Sequence, residues 1–353
     1  MAFHMYVSLQ DDDRIVRFIM NPETGSLEPQ GAVEVAGGPA PLAINPTRTV
    51  LYAGLRRDFR LTSFGIDQAS GELNLSGNVG LEGEPCYLST DRSGRYLLSA
   101  YYQAGHCAVH PISETGAVGG AVIEWLATNS GAHCFQTDPS NQYAFLPHIA
   151  AGSAGLANLP QQRQAAVNAI FQFKFDADTG HLEPNDPPRI SPEAPDGPRH
   201  FCFHPTKSLV YVCNEQASSV TVYALDGSTG TLTASQTVTT LPEGFAGRSA
   251  CSQIQMHPSG RHLYTSNRGH NSIASFAVDE TTGALTSTGW TEVDPVPRAF
   301  SLDPTGHFLY AAGLETGNLV AFRIDQQSGR LSRLETYAVG AVPMWVLIAR
   351  LAG

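Results

Sequence analysis

Short apolar runs recur from one end of the chain to the other, each closed by Gly, Pro, Asn, Asp, Ser or Thr. No long stretch repeats apolar residues at the helical spacing i, i+3, i+4, i+7. The pattern is that of short β-strands joined by tight turns, an all-β chain. In RHFCFHPTKSLVYVCNEQ, for example, Phe201 to Phe203 and Leu209 to Cys213 read as two strands around the turn His204-Pro205-Thr206-Lys207. A hairpin brings its first and last residues to the same end, so Arg199, His200, Asn214 and Glu215 are expected on one rim of a sheet.

Two motifs repeat in independent registers. The first is a turn of the form (Ser/Thr)-Gly-x-(Leu/Val), as in PETGSL and QASGEL, with glycines at Gly25, Gly71, Gly116, Gly180, Gly230, Gly283 and Gly329; the steps between them are 46, 45, 64, 50, 53 and 46 residues. The second is a turn leading into a Leu-Tyr-like strand, as in NPTRTVLY, HPTKSLVY, HPSGRHLY and DPTGHFLY. Only six copies of it are complete, because the seventh is divided: PMWVLIARL near the C-terminus matches the strand before the turn, and AFHMYVSL at the N-terminus matches the strand after it. Seven units of about 45 residues, four short strands each, predict a single-domain seven-bladed β-propeller over residues 1–353, one blade closed by the N- and C-terminal strands.

In such a blade the strand before the second turn lies innermost, and its opening shares one face with the end of the strand that follows. The openings give Ala40, Cys86, His133, Arg199, Ser252, Arg298 and Met344 around the ring, with His200 and Trp345 beside two of them. The ends of the next strands give Arg56, Tyr101, His148, Asn214 with Glu215, and Asn267 with Arg268. Four arginines, two histidines and a glutamate thus converge on one mouth, a local inversion of charge that suits a small anion, since the guanidinium fork matches carboxylate or phosphate oxygens. The 64-residue step comes from a loop insertion over residues 149–168 on the same face, where it is expected to act as a lid.

Composition narrows the partners. A net charge of −11 with only two lysines argues against nucleic acid and anionic membrane surfaces. MAFHMYVSLQ lacks the features of a signal peptide and no apolar run could span a bilayer, so a cytoplasmic protein, monomer or dimer, is expected. The six cysteines show no CxxC spacing and read as reduced, structural thiols. Neither metal-ligand spacing, nor a GxSxG elbow, nor a Gly-rich loop before a helix is present, so no metal or cofactor is expected and water or the substrate itself must supply the nucleophile. His204 and His257 read as turn histidines on the opposite face, and His106, His110 and His270 as solvated surface.

The segments RRDFRLTSF, GPRHFCFHP, NEQASSVTVY, GRHLYTSNR, VPRAFSLDPTG and AVGAVPMWV resemble those of the bacterial propeller-type 6-phosphogluconolactonases, and the resemblance covers essentially the whole chain. It implies hydrolysis of a sugar (aldono)lactone, such as 6-phosphogluconolactone, to the open-chain acid. The same broad family includes fungal carboxymuconate-lactonising enzymes, which form a lactone by cycloisomerisation. There a His, two Arg and a Glu are implicated, and His148, Arg199, Glu215 and Arg268 occupy the matching motifs. On this reading those four are catalytic, with His148, whose unperturbed pKa would be about 6.5, as the acid/base. Arg56, Tyr101, His133, His200, Asn214, Asn267, Arg298 and Trp345 would then contact substrate. A muconate-type cycloisomerase and a non-catalytic interaction propeller are the alternatives.

Overall fold

The computed structural model describes residues 3–149, 167–192 and 196–352, which hold 28 β-strands and no helix. The strands form seven separate four-stranded antiparallel sheets. Six use strands consecutive in sequence, whereas in the seventh Pro343–Arg350 pairs with Phe3–Leu9. The ring is therefore closed by both ends of the chain, as the divided repeat requires. Counting that closing blade as the first, blades 2 to 7 span residues 39–80, 87–127, 136–190, 198–239, 250–292 and 297–338.

The burial pattern explains the run lengths in the sequence. The second strands, such as Val50–Leu55, Tyr96–Tyr101 and Phe308–Gly313, are buried throughout, because neighbouring blades cover both of their faces. Outermost strands such as Leu331–Ala338 are largely exposed. Seven hydrophobic clusters result, one at each junction between consecutive blades. At the closing junction, for instance, Phe3, Met5 and Val7 meet Phe308, Tyr310 and Leu319. The core is thus a set of radial layers, and the centre is left free for polar side chains.

The two sequence motifs turn out to be halves of one latch. Tyr6, Tyr52, Tyr211, Tyr264 and Tyr310 each donate a phenolic hydrogen bond to the turn glycine of the next blade, at the carbonyls of Gly71, Gly116, Gly283, Gly329 and Gly25; Tyr96 and Tyr143 reach Asp178 and Ser228 in the equivalent turns, all at 2.7 to 3.0 Å. The turn glycine is needed twice over: Gly283 has φ +75°, and a Cβ there would run into Leu209 and Tyr211 of the preceding blade.

On this same latch face His204 and His257 donate from Nε2 to the carbonyls of Gly260 and Gly306 in the next blade, at 3.2 and 2.8 Å, so both act as turn histidines. His110 departs from its expected exposure. It lies on the third strand of blade 3, is buried, and sits 3.1 Å from the Ser99 hydroxyl.

Candidate active site

The mouth is shaped by irregularities at the openings of the innermost strands. In blades 1, 5 and 7 the strand begins with a proline (Pro343, Pro198, Pro297), and the ladder slips directly after it, leaving Met344, Arg199 and Arg298 as the extra, unpaired residues. A regular strand sends consecutive side chains to opposite faces. The bulge instead turns both members of a doublet toward the channel, so that Arg199 with His200, Met344 with Trp345, and Ala40 with Pro41 all line one cleft. Val296 and Val342, which precede two of these prolines, adopt φ +55° and +53°. Left-handed backbone costs an ordinary residue on the order of 1–2 kcal/mol, so strain is held at the turns that set the mouth.

The cleft that these residues line is small and open to solvent. Arg199, which lines the cleft, shares a buried network with Arg268 of blade 6. Arg199 donates from Nε to Glu215 Oε2 at 2.7 Å and from Nη1 to the Ser252 carbonyl. Arg268 donates from Nη2 to the same Glu215 oxygen at 2.7 Å and to the Cys251 carbonyl at 2.8 Å, which ties blade 6 to blade 5. Burial alone would raise the Glu215 pKa, but the guanidiniums of Arg268 and Arg199 outweigh it and hold the carboxyl below its ordinary value. Glu215 Oε1 carries no hydrogen bond from any described residue.

The other two arginines are less satisfied. Arg56 is paired with Glu84, and its buried Nε has no partner. The Arg298 guanidinium makes no hydrogen bond or ion pair with any described residue. Burial, and then the guanidiniums of Arg199, Arg268 and Arg56, press its pKa well below the ordinary arginine value. Four arginines face two glutamates here, which leaves two positive charges uncompensated in an otherwise acidic protein.

Opposite the free arginines, His200 Nε2 lies 3.1 Å from His133 Nδ1. Burial first, and then Arg199 and the other nearby guanidiniums, drive both imidazoles well below 6.5, so the pair is neutral at pH 7 and one ring donates to the other. Tyr87 packs edge-on against His200 at 5.1 Å and against Trp345 at 5.5 Å, which fixes the wall. The Cys86 thiol also borders the cleft, but burial pushes it up to about 11 and it stays protonated, so it offers no nucleophile.

Several residues expected at the mouth lie elsewhere. His148 is fully buried, with Nδ1 donating to the Leu146 carbonyl at 3.0 Å and Nε2 accepting from Thr128 at 2.8 Å. Its pKa is pushed down to about 4 by burial, and it does not line the cleft. Tyr101 points into its own blade, where it meets Ser99, His110 and Trp125. Asn214 is held by Ser219 and Thr221, and Asn267 by Thr240 and Ser272. The reason is common to all of them: the second strand stands about 4.8 Å farther from the axis, so that Arg56 reaches the cleft, while Glu215 meets it through Arg199 and Arg268 through Glu215. Most of the 149–168 insertion, residues 150–166, lies outside the described residues, and its expected lid role with it. Conversely, Gln253, Pro41 and Glu84 belong to the site and were not anticipated. Gln253 follows Ser252 as His200 follows Arg199, so reading the openings as doublets would have found it.

Comparison with known proteins agrees with the geometry. The family model described as "Lactonase, 7-bladed beta-propeller" matches residues 4–348. The 6-phosphogluconolactonase of Pectobacterium carotovorum is 36% identical over 327 residues, 93% of each chain, and that of Erwinia tasmaniensis is 31% identical over 347 residues, 98% of each. Among solved structures, the periplasmic gluconolactonase of Pseudomonas aeruginosa superposes with a TM-score of 0.87 over 99% of both chains at 24% identity, a likeness of fold.

Proposed function

The chain belongs to the seven-bladed β-propeller lactonase family, and from that premise we propose that it hydrolyses a sugar lactone, 6-phosphogluconolactone or a close aldonolactone, to the open-chain acid. We place this activity in the cytoplasm, where its six unpaired cysteines stay reduced. The observation that carries the reading is the cleft itself, which the Arg199 guanidinium lines together with a neutral histidine pair. Opening a lactone needs both. Water attacks the ester carbonyl, negative charge develops on the carbonyl oxygen, and the ring oxygen must leave with a proton.

Arg199 suits the oxyanion. Glu215 and the Ser252 carbonyl fix its guanidinium before substrate arrives, so little reorganisation is needed as charge develops. The His133–His200 pair takes over the acid/base role first assigned to His148. Neutral imidazole accepts a proton from the attacking water and returns it to the departing ring oxygen, and the new carboxylic acid then ionises. Glu215, ionised and holding Oε1 free of protein partners, is positioned to orient the water, while Arg268 keeps it in place.

The test is acid release in weakly buffered indicator solution, corrected for spontaneous opening. 6-Phosphogluconolactone, unphosphorylated aldonolactones and a muconolactone serve as substrates. Acceleration of at least one sugar lactone is expected. Consumption of an unsaturated diacid with no acceleration of any lactone would instead establish the cycloisomerase alternative.

A further inference from the structure

The cleft is chemically lopsided. Blades 4 and 5 contribute His133, His200 and the Glu215-bound Arg199, whereas blades 7 and 2 place Arg298 and Arg56 on either side of blade 1. These last two are the guanidiniums with unused hydrogen-bonding capacity: Arg298 has no partner among the described residues, and Arg56 has Glu84 at one nitrogen and a buried, unpartnered Nε. Catalysis at an ester does not require them there, because the oxyanion forms beside the histidine pair. An unopened aldonolactone ring is itself neutral. A second anion site facing away from the reacting carbonyl has something to bind only if the substrate carries an ionised substituent elsewhere on its chain.

We propose that Arg298 and Arg56 form a subsite for a phosphate monoester on the substrate, lying over blade 1, and that Glu84 is the counter-ion which this phosphate displaces from Arg56. The proposal rests on the lactonase reading and adds an orientation to it: the phosphorylated tail lies between blades 7 and 2, and the ester lies toward blades 4 and 5. A guanidinium fork matches phosphate oxygens in a bidentate manner, and two forks on either side of blade 1 can hold a dianion that one alone would hold weakly. Glu84 keeps Arg56 paired and extended while the site is empty, at the expense of competing with the incoming phosphate.

The experiment compares 6-phosphogluconolactone with gluconolactone in wild type, Arg298→Gln, Arg56→Gln and Glu84→Gln, each confirmed as folded by circular dichroism. In both arginine variants the ratio of kcat/KM for the phosphorylated over the unphosphorylated lactone falls about tenfold or more, mostly through KM, the scale of one lost charge-assisted contact. Glu84→Gln lowers KM for the phosphorylated substrate. An unchanged ratio in both arginine variants overturns the subsite, because it would mean that they act on the carbonyl common to the two substrates. If wild type opens neither lactone, the hydrolase reading has failed separately, and equilibrium titration with inorganic phosphate and 6-phosphogluconate decides the subsite alone. Binding weakened about tenfold in Arg298→Gln sustains it, and equal binding in wild type and variant overturns it.

Discussion

At the scale of single residues, the account turns on which groups keep their polar capacity free. Asn214, Asn267 and His148 are spent on hydrogen bonds within the blades, while Arg298 and the His133–His200 pair line the cleft and Glu215 Oε1 carries no hydrogen bond from a described residue. The pH dependence follows from the histidines. Both imidazoles act in their neutral form, and burial with neighbouring guanidiniums has moved their pKa below 6.5, so the active form is present above that depressed value and is lost only as pH falls through it. Background-corrected kcat/KM should therefore stay flat as pH is lowered through 6.5, with its acid limb below that point. A limb at or above 6.5 would place the essential base outside this pair. The rim of charged residues could be read from the hairpin RHFCFHPTKSLVYVCNEQ, but which of them face inward could not, because that depends on bulges such as the one at Arg199, which no alternation rule anticipates.

At the scale of the elements, the blade-to-blade latch explains why two motifs with different residues share one period. Each tyrosine of one motif bonds a carbonyl in the glycine turn of the other in the next blade, at the glycine itself in five of the seven cases. Tyr211→Phe removes the 2.9 Å bond to Gly283 and leaves a buried carbonyl without its donor, which should destabilise the protein by about 1–2 kcal/mol. Gly283→Ala should cost more, since it adds both a clash and an unfavourable φ to the same turn. Urea unfolding of the two variants checks this, and a Tyr211→Phe protein as stable as wild type would show that the latch contributes nothing. The periodicity was plain in the sequence; its cause was not, because a tyrosine and its glycine stand about one and a half repeats apart.

At the scale of the whole molecule, the divided repeat made ring closure legible, and the structure has the closing strand pair where the two half-motifs put it. The ring in turn makes the site legible only in part. Innermost openings line the cleft, including Arg199, Arg298 and His133, whereas most second-strand ends do not, since they stand one strand farther from the axis. Our central claim is that catalysis belongs to the residues lining this cleft. The most direct test measures opening of 6-phosphogluconolactone, relative to the spontaneous rate, by Arg199→Gln and His148→Asn proteins of verified fold. We predict that Arg199→Gln loses about 10²-fold in kcat/KM, the scale of one missing oxyanion donor, while His148→Asn keeps most of its rate. A full rate in Arg199→Gln together with a collapse in His148→Asn would contradict the account and move the chemistry outward to the second strand of blade 4.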